Sequence, residues 1–435
     1  MTDLPKLDLP KFFRACKPSK TLRISNPDDK QYYIDFSSVR GETIIQELKR
    51  TITILHPEEK TCQLFTGHIG CGKSTELLRL KAELEQQDFH VVYFESNESL
   101  DLSNIDVTDI LLAIASAVSK SLEEIHIDVN PGMIRDFVRK ANEFLQTPID
   151  LEAKFSVILA ELTVKTKNSS DFRSQLRQYL EPRTSSILQS INDELLQPAQ
   201  QKLNHKGKKG LVVIIDNLDR IDNVPKSNGQ YQPEYLFVER GDQLNNLNCH
   251  VVYTIPLILT YSNALGRLQN RFGKPPKVLP MVAVKRRDQS DYTQGIELLK
   301  QMVMSRAFPG VSWTQSQNLI TKVFENVDTL ERLCKVSGGH LRDIFLLLHG
   351  CLEKQDPPIS HDCLEQVITA NRNLLSKAID PQEWKLLQQV SIQGIAGDEQ
   401  YTMLIKDMFV FEYMDEDGSW FEVKPMLQEC PEFRL

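Results

Sequence analysis

The stretch TCQLFTGHIGCGKST, which runs from Thr61 to Thr75, decides the fold. Its first part, Thr61–Gly67, is a short apolar run ending in glycine and predicts a buried strand. Its second part, Gly67–Thr75, matches the pattern G-x-x-x-x-G-K-[ST]. Glycines let the backbone N–H groups face a phosphate, and a following helix adds its positive N-terminal end. The stretch therefore predicts a phosphate-binding loop, and the alternative is a glycine-rich turn without a ligand.

The loop predicts ATP and Mg²⁺ as cofactors. Lys73 is expected to reach the β- and γ-phosphates, and Ser74 is expected to bind Mg²⁺. The residues predicted to contact the nucleotide within the loop are Gly67, His68, Ile69, Gly70, Cys71, Gly72, Lys73, Ser74 and Thr75.

The flanking sequence predicts a parallel sheet. Glu76–Gln87 has the spacing of an amphipathic helix, and His90–Ser96 is a second apolar strand, which together complete a βαβ unit. Three further strands are predicted at Gly210–Asp216, His250–Pro256 and Val278–Val284. The predicted fold class is α/β, with a parallel five-stranded P-loop NTPase core.

The remaining sequence divides the chain into predicted domains. Roughly 110 residues separate the second and third strands, more than an ordinary crossover connection needs, so about 100–209 is predicted to be a helical insertion. The predicted domains are an N-terminal arm (1–30), the core (31–290), a helical lid (291–356) and an acidic winged-helix-like domain (357–435). The last assignment rests on helices followed by a hairpin signal, in which two strands flank Asp417-Gly418.

Composition and charge exclude several classes of protein. No apolar run approaches the roughly 18 residues of a membrane span, and no secretory signal is expected, so a cytoplasmic location is predicted. The eight cysteines are scattered without a Cys-x-x-Cys pair, which favours reduced, mostly buried thiols. Cys71 is the expected exception, open to oxidation within the loop. Residues 359–435 hold 14 acidic and 6 basic residues and so carry a net charge equal to the whole chain's −8.

A second motif follows the third strand. Asp216 ends that strand, where a carboxylate can hold Mg²⁺ directly or through water; the alternative is a helix cap or loop acid. Asn217 stands where many P-loop ATPases have a catalytic glutamate, and an amide cannot accept a proton from water. Asp219 is the predicted substitute, and the alternative is a structural salt bridge with Arg220 or a neighbour. Binding is thus a firmer expectation than fast turnover.

Three segments resemble known ATPases. The run from Ile214 to Arg220, IIDNLDR, resembles the Asp-Asp-Leu-Asp-Arg signature of KAP-type NTPases and related STAND ATPases. The phosphate loop and the following Glu-Leu-Leu-Arg-Leu are similar to bacterial AAA/STAND families. Ser337–Asp343, SGGHLRD, resembles the sensor-2 segment of AAA+ proteins, including origin-recognition ATPases. The resemblance extends from about Val39 to Leu348.

The resemblance implies a ring or switch ATPase with a helical lid. Thr254 would act as sensor 1 near the γ-phosphate, although a plain strand residue is an equal alternative. Arg342 would reach the γ-phosphate from the lid, against a surface arginine as the alternative. Arg271, with Arg267 beside it, would supply an arginine finger to a neighbouring subunit, and a solvated arginine is its alternative.

The turn at Val39-Arg40-Gly41-Glu42 corresponds to the adenine cradle of related ATPases, with the order of glycine and arginine reversed. Val39 and Arg40 are the predicted contacts. The aromatic residues just before it could stack on the base, although core packing is the alternative; they are Tyr32, Tyr33 and Phe36.

The sequence is compatible with three functions. The leading hypothesis is an ATP-controlled switch or oligomeric regulator with slow hydrolysis, acting as a homo-oligomer or on a protein effector. The alternative is a DNA-binding initiator or transposition ATPase. It would depend on basic clusters at Lys202–Lys209 and Lys285–Arg287, and the acidic C-terminal domain disfavours it. The third hypothesis is a nucleotide-binding scaffold without turnover.

Overall fold

The computed structural model describes residues 5–41, 43–129, 131–145, 154–226, 229–393 and 399–434. The first half of the chain forms the following strands and helices: α1 Leu9–Ala15, α2 Pro27–Lys30, α3 Ile44–Arg50, β1 Cys62–Gly67, α4 Lys73–Glu85, β2 Phe89–Glu95, α5 Ser96–Ser99, α6 Val107–Glu124, α7 Gly132–Leu145, α8 Phe155–Asn168, α9 Ser170–Leu180, α10 Thr184–Ser190, α11 Gln197–His205 and β3 Gly210–Asp216.

The second half continues with α12 Gln232–Glu234, α13 Gly241–Asn245, β4 His250–Thr254, α14 Leu265–Phe272, β5 Lys277–Leu279, α15 Thr293–Ala307, α16 Trp313–Gln317, α17 Val327–Val336, α18 Leu341–Leu352, α19 His361–Ser376, α20 Pro381–Gln393, α21 Glu399–Lys406, β6 Val410–Asp415, β7 Gly418–Val423 and α22 Pro425–Gln428. Within the described ranges, no helix is long and apolar enough to cross a membrane.

The chain divides into two compact units. We call Ile45–Thr66 and Leu80–Val278 the sheet unit. We call Met1–Ile44, Gly67–Arg79 and Leu279–Leu435 the phosphate-loop unit.

The sheet unit is built on a five-stranded sheet with the order β2-β3-β4-β1-β5. The pairs β2–β3, β3–β4 and β1–β4 are all parallel. Every residue of β3 is buried, as expected for a central strand covered on both faces. This order and direction confirm the predicted α/β P-loop core.

Helices α6 to α11 form the insertion between β2 and β3. The central helix α6 buries residues on every turn, starting at a capping box in which Asp106 and Asp109 satisfy each other's backbone N–H groups. Its apolar side chains join one core with those of β3 and β4. The segment Phe155–Val164, whose pattern fits strand or helix, lies in α8.

The phosphate-loop unit has its own core, which draws on Phe12 and Cys16 near the start of the chain and on Val367 and Met426 near its end. The predicted hairpin is present as β6 and β7, with antiparallel pairing from Val410↔Val423 to Asp415↔Gly418. Helices α19 to α21 precede it, in the predicted order of elements. Their identity as a winged helix stays a prediction.

Two expectations from the sequence were wrong. The predicted fifth strand, Val278–Val284, is a strand only over Lys277–Leu279. Pro280 follows at once and has no N–H to donate to a ladder, so the buried residues beyond it are irregular. All eight cysteines are unpaired, as predicted. Cys71, however, is fully buried and therefore not open to reagents in this conformation.

Candidate nucleotide site

The phosphate loop has a backbone shape that requires its glycines. Gly67, Gly70 and Gly72 all have positive φ, and the value at Gly70 is 90°. A Cβ atom at Gly70 would lie 2.5 Å from Nε2 of His340 and 2.9 Å from Cβ of Arg342. The start of α18, which includes Arg342, therefore lies against this glycine within the phosphate-loop unit. The sensor role of Arg342 stays a prediction.

Lys73 is the buried cation of the loop. Its ammonium group donates to the carbonyl oxygens of Gly67 and His68, at 2.7 and 2.9 Å. Only 5% of the residue is exposed. These bonds hold the charge inside the loop curve, where a phosphate oxygen would be a stronger, charged acceptor.

Arg40 braces the same loop from the N-terminal segment. Its Nη2 donates to the Cys71 carbonyl oxygen at 2.6 Å, and its guanidinium lies 5.6 Å from the centre of the Phe36 ring. Val39 is buried in the core. Glu42 lies outside the described residues. The adenine-binding role of Val39 and Arg40 stays a prediction, and the structure adds a loop-supporting role for Arg40.

The loop's own histidine contacts the C-terminal hairpin. Nε2 of His68 accepts a hydrogen bond from the backbone N–H of Glu412 in β6, at 2.9 Å. A ring nitrogen that accepts carries no proton, so the imidazole is neutral with its proton on Nδ1. Burial, with help from the nearby charges of His340 and Lys73, keeps the pKa of His68 well below its usual value.

His340 links the loop to a buried charge pair. Its Nε2 lies 2.8 Å from the Ile69 carbonyl oxygen and has to donate, since a carbonyl only accepts. Its Nδ1 lies 3.0 Å from Oδ1 of Asp343, whose Oδ2 lies 2.6 Å from the Lys424 ammonium. Burial alone would raise the pKa of Asp343, but the charges and hydrogen bonds of His340 and Lys424 lower it below the usual range.

In the sheet unit, Asp216 ends β3 and is almost completely buried. One carboxylate oxygen accepts from the Tyr93 hydroxyl at 2.7 Å, and the other accepts from the backbone N–H of Asn217 at 2.7 Å. The carboxylate is thus held in a fixed orientation, and carboxylate oxygens are among the ligands that Mg²⁺ prefers.

Asn217 has the left-handed backbone conformation, with φ of 65°. Its side-chain amide nitrogen donates to Oε2 of Glu95 at 2.8 Å and to Oδ1 of Asn97 at 2.7 Å. Asparagine tolerates this conformation better than most residues, and here the fold directs its amide toward the end of β2. Asn217 therefore holds a carboxylate that the sequence motif does not include.

Thr254 and Asp219 lie around the same turn. The Thr254 hydroxyl donates to the Ile215 carbonyl at 3.2 Å and accepts from the Leu218 N–H at 2.9 Å, so it ties the end of β4 to the chain after β3. Asp219 is buried in the single helical turn Leu218–Arg220. Their sensor and catalytic roles stay predictions.

Arg271 and Arg267 lie on α14 and are paired within the sheet unit. Arg271 donates to the Val238 carbonyl at 3.1 Å and forms an ion pair with Asp242, and Arg267 pairs with Glu239 at 2.7 Å. Both side chains are partly exposed. An arginine finger from this helix stays a prediction, and it would require these ion pairs to open.

Ser74 and Thr75 lie in the first turn of α4, directly after Lys73. Thr75 accepts a hydrogen bond from the Leu22 N–H at 3.3 Å, and Ser74 is partly exposed. Within the described parts of the chain, no group of three or more His, Cys, Asp or Glu side chains could hold a metal ion on its own. A magnesium ion would therefore need a hydroxyl such as that of Ser74, or oxygen atoms of the nucleotide.

Sequence reasoning missed four contributors: His68 as a hairpin contact, His340, Glu95 and Tyr93. The two histidines gave no signal, because their partners lie hundreds of residues away along the chain. For Glu95 the sequence contained a weak signal, because an acidic residue ends β2 just as Asp216 ends β3.

The chain is similar to known ATPases. Residues 45–254 match the ATPase_2 family, an ATPase domain predominantly from Archaea. No curated protein matches the sequence.

Several solved structures have a backbone that partly superposes on this chain. One is a Walker-type ATPase of Pyrococcus abyssi, with 13% sequence identity and a TM-score of 0.45; the match covers 96% of this chain and 99% of that one. The ORC2 protein of Aeropyrum pernix has 12% identity, a TM-score of 0.41, and coverage of 95% of each chain. The ORC1 protein of the same organism, solved in complex with DNA, has 13% identity, a TM-score of 0.37, and coverage of 93% and 97%. With its glycine loop, its parallel sheet and its family match, the stretch from residue 45 to residue 254 is a P-loop ATPase domain.

Proposed function

We propose that the chain is an ATP-controlled switch, which binds ATP with Mg²⁺ at Gly67–Thr75 and hydrolyses it slowly. The observation that carries the switch is the hydrogen bond from the Glu412 N–H to His68. It joins a residue inside the phosphate loop to the C-terminal hairpin. We further assign the chain to the STAND group of AAA+ ATPases, with a lid and a winged helix, on the IIDNLDR and SGGHLRD segments.

The coupling follows from the contacts of Lys73. A bound phosphate competes with the Gly67 and His68 carbonyls for the Lys73 ammonium, and the charged acceptor wins. The freed His68 backbone then shifts, and with it the imidazole that meets Glu412. ATP changes the state of the hairpin only to the extent that it binds the two loop arrangements with different affinity.

The catalytic part of the proposal rests on oxygen ligands and on the missing glutamate. Ser74 and Asp216 are the proposed Mg²⁺ ligands, and the ion would neutralise charge on the phosphates. Asn217 cannot act as a base, so slow hydrolysis is expected, which suits a switch that has to persist. Thr254 and Arg342 are the proposed γ-phosphate sensors, and Arg271 would act on a neighbouring copy in a homo-oligomer.

The DNA-binding alternative finds little support in the basic clusters. Lys202 and Lys206 donate to carbonyl oxygens just beyond the C-terminal end of α6, where cations stabilise a helix. Arg287 makes two hydrogen bonds to Asp415 in the hairpin. These cations already have acceptors, so they offer fewer charges to DNA phosphates.

The test is calorimetric titration of ATP-Mg²⁺ into the wild type and Lys73→Ala. Charge-assisted hydrogen bonds contribute about 1.5–3 kcal/mol each, so we expect affinity to fall at least about a hundredfold. Lys81→Ala is the matched control, because Lys81 lies on the same helix and pairs with Glu85 instead. Unchanged affinity in folded Lys73→Ala would contradict the nucleotide site.

The switch is tested separately by amide hydrogen exchange at residues 410–423. In the wild type, ATP-Mg²⁺ should change exchange in the hairpin, and in Lys73→Ala it should not. Mass photometry under the same conditions reports any change in assembly. If ATP bound tightly but hydrogen exchange in the hairpin were the same with and without ATP-Mg²⁺, the switch would be refuted. The chain would then be a nucleotide-binding scaffold.

A further inference from the structure

A carboxylate outside both motifs lies beside Asp216. Glu95 is the last residue of β2, and it is the register partner of Asp216 in the parallel pair β2–β3. Neighbouring strands are about 4.8 Å apart, and parallel strands present their carboxyl ends at the same edge of the sheet. The backbone thus fixes the two acids as neighbours, whatever their side-chain rotamers.

The amide of Asn217 fixes the Glu95 side chain as well. An amide nitrogen has two hydrogens, and here one is donated to Glu95 and the other to Asn97. The left-handed conformation of Asn217 directs the amide to these acceptors. The residue that replaces the usual glutamate therefore cannot take a proton, but it holds a group that can.

The surroundings suit a proton acceptor. Glu95 is half-buried, so water can reach it. A carboxylate that water can reach is able to take a proton from the attacking water molecule in the transition state.

We propose that Glu95 is the catalytic base of ATP hydrolysis and that Asn217 is its positioning residue. A water oxygen forms a bond to the γ-phosphorus while the bond from that phosphorus to the β,γ-bridging oxygen breaks. ADP leaves with the electron pair, and the water proton goes to Glu95 and then to solvent. The inference rests on the proposed ATP site, and it differs from the sequence-based candidate, Asp219, which lies in the next turn.

The experiment compares Glu95→Gln with Glu98→Gln, a control that neutralises an exposed acid three residues further on. Loss of a general base costs roughly 10²–10⁴ in rate, so kcat of Glu95→Gln should fall at least about a hundredfold. The Kd for ATP-Mg²⁺ should stay within about threefold, and the control should resemble the wild type in both quantities.

A structural role would not produce two further results. Glu95→Asp, which keeps a carboxylate, should retain measurably more turnover than Glu95→Gln at the same affinity for ATP-Mg²⁺. Adding Asn217→Glu to Glu95→Gln should restore turnover at least about tenfold, because it supplies a carboxylate at the usual position.

Other results would overturn the proposal. One is a Glu95→Gln variant with the kcat of the wild type. Another is a Glu95→Gln variant that loses ATP binding and turnover to the same extent. A third is loss of turnover in Asp219→Asn but not in Glu95→Gln. Tight ATP binding by the wild type without any hydrolysis would also overturn it, while leaving the switch intact. If the wild type bound no ATP, the proposed function itself would fail.

Discussion

The phosphate loop and the acidic end of β2 and β3 are held in different ways. His68 and His340 connect the loop to residues 344 and 271 positions away along the chain. The acids Glu95 and Asp216 are aligned by strand register, and Asn217 and Tyr93 orient them. The loop is therefore open to influence from the C-terminal hairpin, whereas the acidic edge is set by the sheet itself. This difference suits the proposed switch, in which the nucleotide-binding loop would be adjustable and the proposed catalytic residues would be fixed.

The largest expected effect tests the long-range support of the loop. A Cβ atom at Gly339, next to His340, would lie 1.7 Å from the Val282 carbonyl oxygen, while one at Gly310 would meet nothing within 4 Å. Both glycines have positive φ. Gly310→Ala should therefore lower the free energy of unfolding only by the cost of placing alanine in the left-handed conformation, about 1–2 kcal/mol. We expect Gly339→Ala to cost at least about 3 kcal/mol more in free energy of unfolding.

Urea titration followed by tryptophan fluorescence measures this difference. All three tryptophans, Trp313, Trp384 and Trp420, belong to the phosphate-loop unit. Equal midpoints for the two alanine variants would show that the Gly339 contact is not a constraint.

An intermediate effect is expected at the acidic edge. Tyr93→Phe removes the hydroxyl that donates to Asp216, and loss of such an outer contact typically weakens a metal site about tenfold or more. The Mg²⁺-dependent part of ATP affinity should fall by about that factor, and affinity in EDTA should not change. Tyr253→Phe is the control, since its buried hydroxyl donates to the Leu244 carbonyl in the same unit. Equal effects of the two variants would count against a specific role for Tyr93.

The smallest expected effect is the change in the free energy of unfolding with pH, to which each unit contributes a buried histidine. Burial lowers the pKa of His250 in the sheet unit to about 4, and keeps that of His68 well below its usual value. A histidine with a lowered folded pKa contributes stability that is complete above the unfolded value near 6.5 and is lost as pH falls toward the folded value. Between pH 7 and 6, His250 should therefore remove about 0.7 kcal/mol from the free energy of unfolding, and His68 acts in the same direction.

Urea titrations of the wild type and His250→Gln at the two pH values measure this loss. The variant should lose the share that His250 contributes and retain the share of His68 and His90, whose pKa values burial also lowers. A variant with the full pH dependence would show that His250 does not remain neutral in the folded chain.

The sequence predicted the sheet well, because each strand carries its own local signal. Gly67–Thr75 and Gly210–Asp216 are defined by composition and by the residue at their ends. The fifth strand was overextended, since an apolar run continues past Pro280 without being able to continue a ladder.

The candidate site was only partly predictable. A pattern identified Asp216, but Glu95 becomes its neighbour only through strand register, which a single sequence does not contain. His68 and His340 contact their partners only in the tertiary fold, and the spacing of residues along the chain does not predict such contacts.

The hydrogen bond between His68 and Glu412 also bears on the order in which the newborn protein matures. At about 5–20 residues per second, translation needs roughly 20–70 s to move from one of these positions to the other. During that interval the strands before residue 279 can already pair, whereas the loop waits for its last support. The phosphate loop, which is among the earlier segments to be synthesised, can therefore complete its hydrogen bonds only after residue 412 has been added.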